Sequence, residues 1–76
     1  MSSVNVLLNS IEKVKSFVNL VTTYEGDYDL ASDRHIVDAK SIMGIFSLDL
    51  TKTLRLDIHD DNELEKIKAA LKDYIV

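Results

Sequence analysis

The chain contains no cysteine, no proline and no tryptophan, and only two glycines among its 76 residues. Without thiols there is no disulfide framework, no thiolate nucleophile and no cysteine-bound zinc. No apolar run approaches the roughly 20 residues that a membrane-spanning helix requires. The opening Met1-Ser2-Ser3-Val4-Asn5 lacks the basic and apolar regions of a secretory signal, so a cytoplasmic protein is the expectation. Basic residues are also in deficit, with nine Lys and Arg against 13 Asp and Glu and a formal net charge of -4. The acidic residues are spread along the chain, which argues against nucleic acid or an anionic membrane as the main partner and favours a basic protein surface.

What is present is aliphatic. An apolar fraction of 46% with 29% charged residues is too hydrophobic for disorder and ordinary for a globular protein. At this length one core is expected, so residues 1–76 read as a single domain.

Val4, Val6 and Leu8 alternate with Ser3, Asn5 and Leu7 over Ser3 to Leu8, the period of a strand with one buried face. Asn9 with Glu12 has capping-box spacing, and Ile11, Val14, Phe17, Val18 and Val21 follow at helical spacing, which predicts a helix to about Tyr24. Glu25-Gly26-Asp27 signals a turn. Tyr28 to Ala31 and His35 to Ala39 read as two strands around Ser32-Asp33-Arg34, although that loop lacks the Asn-Gly or Asp-Gly of an obvious hairpin. Ser41 is placed to cap a short helix reaching about Asp49. Leu54, Leu56 and Ile58 alternate with Arg55, Asp57 and His59 in a fourth strand. Asp60 and Glu63 repeat the capping-box spacing before Leu64, Ile67, Leu71 and Ile75, which lie on one face of a last helix. The predicted order is β-α-β-β-α-β-α, an α+β pattern in which three helices cover one side of a four-stranded sheet.

Within this order stands Ala39-Lys40-Ser41-Ile42-Met43-Gly44-Ile45-Phe46-Ser47-Leu48. The segment resembles the regulatory-serine helix of the HPr family, the small phosphocarriers of bacterial sugar transport, and it falls where the independent reading puts a helix start. The resemblance implies the HPr fold, an open-faced sandwich of a four-stranded antiparallel sheet and three helices. It implies that Ser41 matches the serine phosphorylated by a dedicated ATP-dependent kinase. It also implies that Ile42, Met43 and Phe46, with Lys40 beside them, match the surface that meets phosphotransferase-system enzymes and a transcription regulator. Read from the residues alone, Ser41 is a helix cap, and Met43 and Phe46 at i and i+3 are core or half-buried packing. Ile42 and Met43 cannot both face inward, so one of them is expected at the surface.

The family's other signature is a histidine followed closely by arginine and proline at the start of the first helix. Counting back from Ser41 without gaps puts these at Ser10, Glu12 and Lys13. Alternatively the loop is shortened and the site deleted. Either way there is no imidazole nucleophile and no guanidinium clamp, and Glu12 adds negative charge where a phosphate needs positive. His35 and His59 read as solvated surface residues. Asp57, His59, Asp60 and Asp61 have no known calcium-loop spacing, and Asp60 is better used as a cap. No metal and no cofactor is expected.

These features lead to a non-enzymatic HPr-like protein that binds a protein partner, be it an HPr kinase, a transcription regulator or a phosphotransferase-system enzyme. Phosphorylation of Ser41 would control it, in the manner of the catabolite-repression paralogues that lack the active histidine. The competing readings are a phosphocarrier using an unrecognised acceptor and a structural or oligomerising module.

Overall fold

The computed structural model describes residues 2–76. Its elements are β1 (Ser2–Val6), α1 (Ile11–Val21), β2 (Tyr28–Ser32), β3 (His35–Asp38), α2 (Ile42–Phe46), β4 (Leu54–Ile58) and α3 (Leu64–Ala70), the last entered through a 3-10 turn at Asp61–Glu63. The strands form one antiparallel sheet in the order β1-β4-β2-β3. This is the predicted α+β arrangement of four strands and three helices.

Leu54, Leu56 and Ile58 of β4 are fully buried. The register sets Val6 and Val4 of β1 beside Leu54 and Leu56, and Tyr28 and Leu30 of β2 beside Ile58 and Leu56. Paired residues in an antiparallel sheet share a face, so all of these meet Val14, Phe17 and Val21 of α1, Ile45 of α2, and Ile67 of α3 with Leu71 just beyond its end, in one core. No helix among the described residues is long and apolar enough to cross a membrane.

Several boundaries differ from the sequence reading. Ser10, not Asn9, caps α1: its Oγ accepts the Lys13 N–H at 3.1 Å. The α-helix ends at Val21, short of Tyr24: the Thr23 and Tyr24 N–H groups donate to the Leu20 and Val21 carbonyls (3.1 Å each) in tighter i→i−3 turns, and Gly26 then takes φ +100°, a conformation that L side chains rarely adopt. The hairpin closes on two residues, Asp33 and Arg34, with Asp33 at φ +52°. Aspartate tolerates this left-handed region better than most residues, which is how the chain turns without Asn-Gly. α2 ends at Phe46, not near Asp49. Asp60 does cap, accepting the Asn62 N–H at 2.9 Å, but it opens a 3-10 turn.

Ile75 is not helical. The chain leaves α3 after Ala70, and residues 74–76 return along the outer edge of β1. The Leu7 N–H donates to the Tyr74 carbonyl (2.9 Å), the Val76 N–H to that of Asn5 (3.0 Å), and Ile75 bridges Val6. The Tyr74 ring meets Phe17 edge to face with centroids 5.7 Å apart, and its hydroxyl bonds Ser16. Leu71 and Ile75 thus share the apolar side that their spacing suggested, but through a strand-like return that satisfies edge amides a longer helix would leave open.

The face of the sheet away from the helices carries Ser3, Asp57, Asp29 and Asp38 in one row across β1, β4, β2 and β3. The Asp57 side chain is 12% exposed. It accepts from Arg55 Nε (2.8 Å), Arg55 Nη2 (3.2 Å) and Ser3 Oγ (2.8 Å). The Arg55 bonds foremost, and that from Ser3, hold its carboxyl below the usual carboxylate range against the opposing effect of burial. Because the folded-state value is lowered, the stabilisation is present in full above the unfolded value of about 3.9 and is lost as pH falls through the folded one. Asp57→Asn should therefore cost about 1 kcal/mol near neutrality. Urea unfolding across a pH series should show the gap to wild type constant above about pH 5 and closing in stronger acid.

Candidate functional site

The corner between β3 and α2 is built by hydrogen bonds that fix where the helix begins. The Ala39 N–H donates to the Tyr28 carbonyl (2.8 Å), the Lys40 N–H to Asp38 Oδ1 (2.9 Å), and the Ser41 N–H to the Asp38 carbonyl (3.0 Å). Ser41 then sits at φ −101°, ψ 107°, and its Oγ accepts the Gly44 N–H at 3.1 Å. This is an N-cap, as its residue type predicts. Gly44 suits a close approach: a Cβ there would lie 3.2 Å from both Ser41 Oγ and Val37 Cβ, tighter than ordinary contact.

The cap orients α2. Ile45 points into the core and is fully buried, and Ile42 is partly buried against it, whereas Met43 is 78% and Phe46 40% exposed. Of the pair Ile42 and Met43, the surface residue is therefore Met43. Met43 and Phe46 lie three residues apart on the same side of the helix, forming a small apolar projection next to a half-buried serine hydroxyl.

Lys40 does not join that projection as a free cation. Its Nζ donates to the carbonyls of Tyr24 (2.8 Å) and Gly26 (3.0 Å), and it stands 5.4 Å from the centre of the Tyr28 ring. The side chain ties the β3–α2 corner to the turn after α1. Nothing in the sequence distinguished this role from a surface contact, because the two carbonyls are brought near only by tertiary folding.

At the start of α1 the structure places Ser10, whose Oγ is occupied as a cap, with Glu12 exposed in the first turn. The connection from β1 consists of residues 7–10 alone. The two histidines lie elsewhere and are exposed: His35 opens β3, and His59, just past β4, has Nε2 2.8 Å from Asp29 Oδ2. A separate cavity of about 490 Å³ is lined by Thr23, Glu25, Tyr28, Asp60, Asn62 and Glu63. Three carboxylates make it unsuited to an anion. Burial, and then Glu63 and Asp60, push the Tyr28 phenol up. Among the described residues no group of three or more Asp, Glu or His is placed to hold a metal ion.

The fold and the position of α2 within it invite comparison with known structures. HPr-C-His from Thermoanaerobacter tengcongensis, an HPr phosphocarrier, superposes with a TM-score of 0.79 at 28% sequence identity, over 95% of this chain and 89% of that one. The fold is that of HPr. No family model matches the sequence, and no curated protein does. The structural likeness accounts for the element order and for the short helix after the β2–β3 hairpin.

Ser41→Ala removes the acceptor for the Gly44 N–H and should destabilise the protein by about 1 kcal/mol in urea unfolding, with Ser41→Asp costing distinctly less because its carboxylate also caps.

Proposed function

We propose that this protein is a non-catalytic HPr-like regulator that binds a protein partner through α2, with the interaction controlled by phosphate on Ser41. The observation that carries the reading is Met43, a large apolar side chain 78% exposed two residues after the capping serine. A short helix that turns methionine and phenylalanine outward leaves apolar surface that the fold itself does not use, and such surface marks contact sites. Phosphate on Ser41 would place about two negative charges beside it, so the partner would combine an apolar depression with a basic rim. Candidates by resemblance are the HPr kinase, a transcription regulator and phosphotransferase-system enzymes, within a bacterial cytoplasm.

The start of α1 supports the non-catalytic half of the reading. Ser10 lacks imidazole's basicity, its oxygen already caps a helix, and no histidine is close to it in sequence to act as base. A phosphate there would meet Glu12 and no arginine.

Incubation with HPr kinase and ATP should add one phosphate to the wild type, mapped to Ser41 by mass spectrometry, and none to Ser41→Ala. Met43→Asp should leave stability within about 0.5 kcal/mol of wild type and lower kcat/KM for the kinase about tenfold through loss of an apolar contact. An unmodified wild type beside a modified HPr control overturns the regulatory reading. Phosphoenolpyruvate and enzyme I should leave the protein unlabelled. Acid-labile label abolished by His35→Ala or His59→Ala would establish the carrier reading instead.

A further inference from the structure

The two edges of the sheet are treated differently. Residues 74–76 cover the outer edge of β1, while β3 forms the opposite edge with no strand beyond it among the described residues. Ser32 and His35 flank a two-residue loop and pair with each other. Backbone bonds to β2 then fall on His35 and Val37, and Ile36 and Asp38 direct their N–H and C=O groups outward. Edge strands are commonly shielded by proline, lysine, a bulge, short length or a charge. β3 has no proline, lysine or bulge, and only its four-residue length and Asp38 guard it.

Ile36 and Asp38, on the outward parity of this edge, and Arg34, in the turn that leads into it, form a self-complementary set. Ile36 is 62% exposed on the open face, beside only the small Ala31. Arg34 is exposed and has no described ion pair or hydrogen bond. Asp38 ends the row of carboxylates: Asp57 is matched by Arg55 and Asp29 is within hydrogen-bond distance of His59, but Asp38 stands opposite Asp29 with no cation among the described residues.

We propose that β3 is the contact of a symmetric homodimer, in which two copies pair antiparallel across a two-fold axis at Ile36 and continue the sheet to eight strands. Side-chain alternation selects the register. An odd shift would set Ile36 against a core-side residue of the second copy. Of the even registers, two face Ile36 with a charged residue, Asp38 or Arg34. The other faces Ile36 with Ile36 and puts Arg34 of each copy against Asp38 of the other, giving an apolar centre flanked by two opposite-charge pairs. The same residues serve both copies, as an isologous contact demands. The Asp38 carbonyl keeps its bond from the Ser41 N–H, since its second lone pair suffices for the new one.

Sedimentation equilibrium over a concentration series should show wild type passing from monomer to dimer. Ile36→Lys, which faces two ammonium groups across the axis, should remain monomeric with unchanged helical circular dichroism. Arg34→Asp and Asp38→Arg should each weaken the dimer about tenfold, and the double exchange should restore it, by the cross-strand pair energies. The chain has no cysteine, so Ile36→Cys gives a single thiol that should oxidise to a dimer faster than a thiol at the exposed Lys66. The facing Cα atoms would lie about 5.5 Å apart, within disulfide reach. A wild type monomeric at all concentrations up to about millimolar, the weakest affinity range worth calling specific, overturns the proposal. So does a dimer indifferent to Ile36→Lys, or equal oxidation of the two thiols.

Discussion

Every other element takes its position from β4. It lies inside the sheet with a strand on each side, and its inward residues Leu54, Leu56 and Ile58 are entirely withdrawn from water. A slip of one residue along either neighbour would exchange its buried and exposed faces. It would drive Arg55 and Asp57 into the helices and set Leu56 in solvent. The register of β1 and β2 is thus enforced by the cost of that exchange. Through β2 and its two-residue turn, the same constraint sets β3 and the place where α2 can begin. The polar half of β4 reinforces it, since the Asp57 carboxylate binds Arg55 of its own strand and Ser3 of β1.

This dependence explains what could be read from the residues alone. Period-two alternation in Leu54 to Ile58 and helical spacing in Val14, Phe17 and Val21 are local records of a buried face, and they were legible with the element order. Ser41 as a cap was legible for the same reason: cap and capped amide are three residues apart. The C-terminal return was not. Ile75 fits a helical stripe as well as it fits a bridge to Val6, and the choice is made by the Asn5 carbonyl and the Leu7 N–H along the β1 edge, remote in sequence. Lys40 failed similarly, because its carbonyl partners lie on the turn after α1. The exposure of Met43 was half legible. Spacing required either Ile42 or Met43 to face outward, and the corner bonds around Asp38 decided which.

Asp38 joins the two surfaces proposed for this protein. Its carbonyl and one carboxylate oxygen hold the backbone at Ser41 and Lys40, so it sets the start of α2 and hence the projection of Met43. Its side chain also lies on the outward parity of the open edge, across from Asp29. Lys40, a cation two residues on in sequence, is turned away toward the Tyr24 and Gly26 carbonyls. The carboxylate is left to the solvent at a point where the sheet already carries two others in line. Phosphate on Ser41 would add charge of the same sign one backbone hydrogen bond away, and a guanidinium arriving on a second chain would offset both. The two proposed contacts, each apolar at its centre, would therefore be coupled, since charge placed on Ser41 would be felt at the β3 edge through Asp38.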